Sequence, residues 1–586
     1  LNQRHKELVA NGQGFPNIES RLCGMDLQRY PLPAHSELVS NVKDGWRTTD
    51  DSSGGEVIPA SFANVADSIG LRHTFRVAGQ PQEQRFAIYQ TLGGGVAVLD
   101  YDLDGRSDLY FAQGAADPPN FQVRRSNQLL RNLIAKVIDT SVSAKVAVSQ
   151  YSMGLTAGDW NQDGFPDLGI ASIGKCVLLI NNGDGTFVRQ SLHRAANHNR
   201  VPGSIGIADV TGDSLPDLIE IGYVDDPNHT VKPPIDENGD VLITVAPGNF
   251  DAAADHLFEN GGDGSFDFHR ITEKGDARTG LGLVVANFDD EVGNEIFVGN
   301  DSRPNRLWKF PGQRRQVDLA SVQGCAYGFS GGATGAMGIA VGDFDQNSQM
   351  DMHITNYENE NSNLYLKKGQ SFEDRNRQYG LGNVSNLLVG FGTQAIDYDN
   401  DGDDDLAVTN GHLDDAKSIR GTYAQPMQMF CNVGSQFELI DVQDSSGFWG
   451  TRQVGRSLAT LDYNRDGQTD FAMTQIERPS ALLVNRTHAG NHWFQVVLAG
   501  TTCERDAIGA SVEVKLGKKS LVRWNVAGDG YFCRNEPVLC FGLGNRRVVS
   551  LLEVRWPNGT TQRFENVPAD QRVLVVEAEQ TLFTLK

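Results

Sequence analysis

The chain has 586 residues, with 74 acidic against 51 basic side chains for a formal net charge of −23, 64 glycines and 39% hydrophobic residues. A surface this negative repels a phosphate backbone, which excludes nucleic acid as a partner. No apolar run reaches the ~20 residues that a membrane-spanning helix needs. The length asks for a repeat architecture plus a smaller domain, and the glycine content for many tight turns between many short strands, so the expected class is all-β.

Residues 1–55 carry FPN, YPLP and DDSSGG and read as an extended N-terminal arm or linker. The segment Glu56 to Phe75, with SFANVADSIGL, has the character of an outer strand and is placed to close a ring beside the last repeat.

From there to residue 490 one nine-residue pattern, D-x-D-x-D-G-x-x-D with variations, recurs seven times at intervals of 50 to 78 residues. Short Val, Ile, Ala and Leu runs flank each copy, as GVAVL and LYFAQ flank the first. A following strand often ends in Leu-x-x-Asn, as in NQLLRN and SALLVN. Such a unit cannot bury both faces alone, but seven arranged radially can, which predicts a seven-bladed β-propeller over residues 56–490. The aspartate loops stop near Asn491. HWFQVVL, ASVEVKL, SLVRWNV, PVLCFGL, SLLEVRW and TQRFENV then predict a small β-sandwich-like domain over 491–586.

The loops have the chemistry of a hard-cation site. Calcium takes six to eight oxygens, and positions one, three and five of the pattern aim side-chain oxygens at one centre. Glycine at six allows the bend, position seven offers its carbonyl, and position nine closes the shell. The expected ligands are Asp100, Asp102, Asp104, the carbonyl of Arg106 and Asp108 in the first loop. In the second they are Asp159, Asn161, Asp163, Phe165 and Asp167; in the third, Asp209, Thr211, Asp213, Leu215 and Asp217. The fifth offers Asp343, Asp345, Asn347, Gln349 and Asp351; the sixth, Asp397, Asp399, Asp401, Asp403 and Asp405; the seventh, Asp462, Asn464, Asp466, Gln468 and Asp470. The fourth set, Asn287, Asp289, Glu291, Gly293 and Glu295, is the weakest: it starts with Asn and has Val292 at position six, where four of the others have glycine and two have serine. Several Ca²⁺ ions with a mainly structural role follow from seven copies in phase; a lone copy could be a plain Asp/Gly turn.

These repeats resemble the FG-GAP or VCBS repeats of integrin α-type propellers. The segments ERDAIGASVEV (Glu504 to Val514), GDGYFCRNEPVLCFGLG (Gly528 to Gly544) and VRWPNGTTQRFENV (Val554 to Val567) resemble an ASPIC/UnbV domain. The layout is similar to that of the cartilage acidic protein family and its bacterial relatives, with TNGHLDD (Thr409 to Asp415) also in keeping. The resemblance implies calcium binding, a secreted, periplasmic or cell-surface location, and adhesive or scaffolding contact with a protein, a matrix or envelope component, or a glycan. Cys503, Cys533 and Cys540 are additions to the family pattern. Cys503 and Cys533 lie in turn-like segments beside its motif blocks and are expected to form a disulfide, while Cys540 is expected to be a buried thiol.

No catalytic constellation is apparent: there is no HExxH, and GFSGG (Gly328 to Gly332) has the wrong order for a nucleophile elbow. The reading is therefore a binding protein and not an enzyme. The alternatives are a calcium-dependent lyase or glycosidase, or a propeller lectin, for which an aromatic cluster on one set of loops would speak; none stands out in the sequence. Three long connections, Ala115 to Ser126, Val224 to Asp255 and His412 to Gln428, leave the ends of the blades away from the aspartate loops. They carry Arg124, Arg125, Asp225, His229, His256, His412, Asp414 and Asp415, and are expected to form the partner surface together with the C-terminal domain, whether that domain lies near them or opposite.

Overall fold

The computed structural model describes residues 57–586 apart from 80–84, 122, 124, 193–195, 238–240, 243–244, 274, 311–315, 415–422, 435 and 586. The arm expected at 1–55, with Cys23, and the loop residues Arg124 and Asp415 lie outside the described residues.

The chain is all-β. Seven sheets of the repeat type carry the aspartate loops, and two further four-stranded sheets form the C-terminal domain. Six of the seven place their strands in simple sequential antiparallel order; the last is completed by Phe62–Asn64, which pairs with Ala481–Asn485 through Phe62 opposite Asn485. The first strands, from Val96–Leu99 through Gly455–Leu461, neighbour one another in a closed cycle, each beside the next and the seventh beside the first. Burial follows from this radial order. Ser152–Gly158 and Asp167–Ser172, first and second in their sheet, are buried at every position. Phe266–Arg270, fourth in its sheet, is exposed or half-buried throughout. Inner strands are therefore continuous apolar and small-residue runs, while outer strands tolerate Asp, His and Arg.

The C-terminal domain packs one sheet, built on His492–Ala499, Leu539–Gly544, Gln571–Val576 and Phe583–Leu585, against another built on Lys519–Trp524, Ser511–Leu516, Val548–Arg555 and Thr561–Pro568. Ser511–Leu516 alternates half-buried and buried residues, the period-two signature of a strand with one face in a core. Phe494, Val512, Val514, Leu552, Val554, Trp556 and Val573 fill that core.

One segment of this domain leaves it. Ala527–Gly528 pairs with Val284 and Val285 and adds a fifth strand to the fourth sheet. The chain then runs past the inner strands. Ile339 N–H donates to the Gly530 carbonyl at 2.9 Å, Leu155 N–H to the Phe532 carbonyl at 3.1 Å, and Val98 N–H to the Arg534 carbonyl at 3.0 Å. Inner-edge backbone groups that would otherwise lack partners are satisfied this way. The approach is close enough to require glycine: a Cβ on Gly95 would stand 1.8 Å from the Phe532 carbonyl oxygen. From the other side, the segment around the short helix Ile88–Thr91 meets it, where the Tyr531 hydroxyl donates to the Leu92 carbonyl at 3.1 Å.

Candidate functional site

Each aspartate loop joins the first strand of its sheet to the second, so in an antiparallel sheet all seven sit at corresponding ends. Within a loop the position-one carboxylate is held by backbone amides. Asp100 accepts from Asp104 N–H at 3.0 Å and Gly105 N–H at 2.8 Å, and Asp397 accepts from Asp401 and Gly402 N–H at 3.0 and 2.9 Å. Position nine is held from outside the loop: Asp108 accepts from Asn132 N–H at 2.7 Å, and Asp167 from Asn181 N–H at 2.7 Å. Each of these carboxylates accepts backbone amides on both of its oxygens, including the position-two amide in Asp108 and Asp167, which fixes its orientation.

In the three loops with aspartate at positions one, three and nine, those oxygens converge. One ligand atom from each of Asp100, Asp102 and Asp108 lies within 4.8 Å of the others, and the same holds for Asp343, Asp345 and Asp351 and for Asp397, Asp399 and Asp405. The second and seventh loops put Asn161 and Asn464 at position three and keep the same amide bonds to Asp159 and Asp462. Two acceptors at expected ligand positions are buried without a hydrogen bond, Asp102 Oδ1 and Thr211 Oγ1. A buried acceptor left unpaired is costly, and a cation in its loop is a group that would satisfy it.

Burial first, and neighbouring carboxylates second, push these acids far above the ordinary carboxylate range near 4. Asp108 and Asp167 rise to about 8, Asp100 and Asp159 to about 6, and Asp351, Asp405 and Asp470 also rise strongly. The donor set fits calcium: hard oxygens, several per loop, crowded closely enough to repel one another when ionised.

The fourth loop is different. Lys309 Nζ reaches into it, bonding Asp289 and Glu291 and standing 3.7 Å from Glu295. An ammonium from the third strand therefore sits among the oxygens that a metal would take. The register shows which position supplies it: Ile296 faces Trp308, so Lys309 is the next residue of its strand. In the first sheet Leu109 faces Leu130, and the next residue is Arg131, whose guanidinium lies 2.6 Å from Asp102 and 3.0 Å from Asp104. Among the seven sheets only the first and fourth carry a base at this register, the others having Ile180, Glu259, Leu366, Cys431 and Val484.

The Leu-x-x-Asn endings have a role that composition did not reveal. Asn181 Nδ2 donates to the Tyr101 carbonyl at 2.9 Å, Asn260 to Trp160 at 2.8 Å, Asn432 to Phe344 at 3.0 Å and Asn485 to Tyr398 at 2.8 Å. Each amide thus ties its sheet to position two of the preceding aspartate loop. Lys367 Nζ does the same to the Phe288 carbonyl. The recurrence of Asn at the end of five of the seven third strands was the signal available for this.

The C-terminal domain docks on the aspartate loops. The position-one amides of Asp159, Asp209 and Asp462 donate to Asp506 at 2.8 Å, Glu504 at 3.0 Å and Glu536 at 2.7 Å. Gln495 Nε2 donates to Asp462 at 3.0 Å, and Lys519 pairs with Asp403 at 2.7 Å. Gly542 passes so near the sixth loop that a Cβ there would stand 2.0 Å from Asp397 Oδ2.

The domain covers the ends of the sheets that bear the aspartate loops, opposite the long connections. Four of the six described polar groups expected on that partner surface, His229, His256, His412 and Asp414, are buried. His229 bonds the Asp226 carbonyl and lies 5.8 Å from Phe121, centroid to centroid. His256 meets Glu220 at 3.2 Å, and Asp225 accepts from Asn197 at 3.0 Å. His412 is buried, Asp414 likewise, and the His412 carbonyl accepts from Arg456 at 3.0 Å; only Arg125 stands exposed. Arg456, fully buried, lies 3.8 Å over Phe391 and donates also to the Thr91 carbonyl, tying these connections to the centre.

The expected Cys503–Cys533 disulfide is also overturned: both are free and buried. Cys503 belongs to the core of the C-terminal domain, whereas Cys533 packs among propeller residues, beside the Leu458 carbonyl at 3.3 Å. The segment that leaves the domain carries Cys533 with it. Cys540 is a free, half-buried thiol whose pKa burial and nearby Glu536 raise to about 12.

A family model described as ASPIC and UnbV matches residues 500–582, and one described as FG-GAP-like repeat matches residues 159–219. Cartilage acidic protein 1 of Xenopus tropicalis is 28% identical over 291 residues, which cover 48% of this chain and 42% of that protein. The Mus musculus protein of the same name is 27% identical over a stretch of the same length and coverage. The chain thus spans less than half the length of the curated relatives it matches. Among solved structures, an Agrocybe aegerita lectin specific for non-reducing terminal N-acetylglucosamine aligns at 15% identity over 58% of this chain and 78% of its own, with a TM-score of 0.35. The BP39L lectin from Burkholderia pseudomallei aligns at 9% over 67% and 95%, with a TM-score of 0.37. These scores are too low to bear on what this chain binds.

Proposed function

We propose that this chain is a calcium-binding propeller that serves as an interaction, adhesion or scaffold module outside the cytoplasm: secreted, periplasmic or on the cell surface. The observation that carries calcium is the convergence of three carboxylates within 4.8 Å in each of three loops, together with unpaired buried acceptors at ligand positions. Asp100, Asp343 and Asp397, with their partners at positions three and nine, would hold the ion, and carbonyls at position seven would complete its shell. Bound calcium would neutralise carboxylates that otherwise repel one another beneath the C-terminal domain. Its role is to hold the loops on which that domain rests.

The binding reading draws on the match to a repeat family and to a domain shared with cartilage acidic protein 1. Among the described residues no helix is long and apolar enough to cross a membrane. Calorimetric titration of the chelated protein with calcium tests the metal. Saturable heat with a rise in melting temperature supports it, and neither of these in the presence of excess calcium overturns it. For the module, affinity purification from the native source, in calcium and again in chelator, asks for a partner retained only in calcium.

A further inference from the structure

The sheet ends opposite the aspartate loops hold one open cleft of a distinct chemistry. It lies where the connection before Ile339–Gly342, the connection after Asp351–Ile354 and the connection before Gly390–Ile396 come together, with a volume of about 920 Å³. Antiparallel topology puts all three at the end of the sheet away from Asp343 to Asp351.

Its lining is dominated by side-chain amides. Asn359, Asn361, Asn363, Asn376, Asn383 and Asn386 all contribute, and Glu360 and Arg377 supply one charge of each sign. The amides are braced: Asn386 Nδ2 donates to Asn361 Oδ1 at 2.9 Å, Asn363 Nδ2 to Asp374 at 2.7 Å, and Asn376 Nδ2 to the Ser362 carbonyl at 2.6 Å. Glu360 is fixed by Gly335 N–H at 2.6 Å. Asn376 is only 1% exposed, and its buried Oδ1 has no hydrogen bond.

The rim is aromatic. Only four aromatic side chains are exposed among the described residues, and two of them, Tyr327 and Phe329, belong to one loop beside this cleft. Phe329 is 57% exposed, with the Arg377 guanidinium 4.7 Å from its ring centroid. The loop contains the GFSGG segment, which is too glycine-rich for a strand and turns through a Gly331 N–H bond to the Gly328 carbonyl at 2.8 Å.

The geometry points to a saccharide-binding cleft for a neutral sugar ring. Amides donate and accept at once, which matches hydroxyls that do the same. An exposed ring offers a flat apolar face for the C–H side of a pyranose, the amphipathic use to which aromatic side chains are suited. The two charges cancel, so neither an anionic nor a cationic ligand gains net Coulomb energy. An apolar ligand would strand the amides, and an extended peptide would look for a sheet edge. This inference names the ligand of the binding module proposed above, and does not depend on calcium, since the cleft lies at the other end of its blade.

The test uses the full chain with saturation-transfer NMR and calorimetry. The panel contains methyl glycosides of glucose, galactose, mannose, fucose and N-acetylglucosamine, a neutral β-linked tetrasaccharide and a uronic-acid tetrasaccharide. A monosaccharide in a shallow site should bind with a Kd of the order of 1 mM, and the neutral tetrasaccharide more tightly. Phe329→Ala and Asn386→Ala should each weaken binding at least tenfold, with the melting temperature and its calcium dependence unchanged. Where Asn386→Ala lowers the melting temperature, the exposed Phe329→Ala alone decides. The cleft assignment is overturned if no neutral sugar binds at 10 mM, if only the uronic-acid tetrasaccharide binds, or if binding is untouched by Phe329→Ala. Calcium-dependent melting has its own readout, so either reading can fail alone.

Discussion

The side-chain amide of Asn132 donates to the Tyr463 carbonyl at 3.1 Å across 331 residues of sequence, joining the third strand of the first sheet to the aspartate loop of the last. The same amide reaches the Ser107 carbonyl at 3.2 Å. It is the ring-closing member of the series formed by Asn181, Asn260, Asn432 and Asn485.

Asn132→Ala leaves two buried carbonyls without a donor and should cost about 1–3 kcal/mol of stability. Asn182→Ala, one position beyond the equivalent Asn181 and exposed, should cost little. Denaturant unfolding of both variants decides; equal stability would remove the ring-closing role.

Chelation should lower the melting temperature, and calcium should restore it more fully than magnesium, because the loops offer flexible multi-oxygen shells and not a rigid octahedron. A melting curve that does not respond to excess chelator speaks against metal in these loops.

The size of that effect should depend on pH. In the metal-free fold Asp108 and Asp167 hold their protons up to about 8, far above their unfolded values. Raised acids bind more protons folded than unfolded, so the chelated protein loses stability as pH rises from about 4 through 8. Calcium needs the ionised ligands and cancels this loss. The gap between calcium-loaded and chelated melting temperatures should therefore widen from pH 5 to pH 8, and a gap that narrows contradicts the assignment.

Lys309 serves the fourth loop as a built-in cation. Lys309→Met should destabilise by ~2 kcal/mol, since Asp289 and Glu295 lose the cation they share in a largely buried place. Anomalous scattering from crystals grown in calcium should show no ion between Asn287 and Glu295. In the first loop, Arg131→Leu should tighten calcium binding, because the guanidinium beside Asp102 and Asp104 competes with it; an unchanged affinity would show that Arg131 swings aside at no cost.

Removal of residues 491–586 should destabilise the propeller well beyond the loss of one surface. Asp159, Asp209 and Asp462 lose the carboxylates on their amides, and the inner strands lose the backbone partners supplied between Gly530 and Arg534. A shortened chain that melts like the whole protein would show the domain to be an appendage.

What the sequence determined by itself was everything decided within a few residues. A nine-residue loop fixes the spacing of its own oxygens, so Asp100, Asp102 and Asp108 could be grouped from their order alone, and the fourth loop's departure from the pattern was visible in Asn287 and Val292. Strand character, too, follows from local runs of Val, Ala, Ile and Leu and from alternation such as Ser511–Leu516. What only the tertiary structure decided was which distant group arrives at each loop. Lys309 and Arg131 reach their carboxylates through sheet register, and Glu504, Asp506 and Glu536 arrive from another domain. Cys533 parts from Cys503 because its segment enters the propeller, and the histidines of the long connections, polar by composition, are buried by the packing at its centre. Periodicity records the backbone's local geometry; it does not record how inner strands with unpaired edges recruit a segment hundreds of residues away to satisfy them.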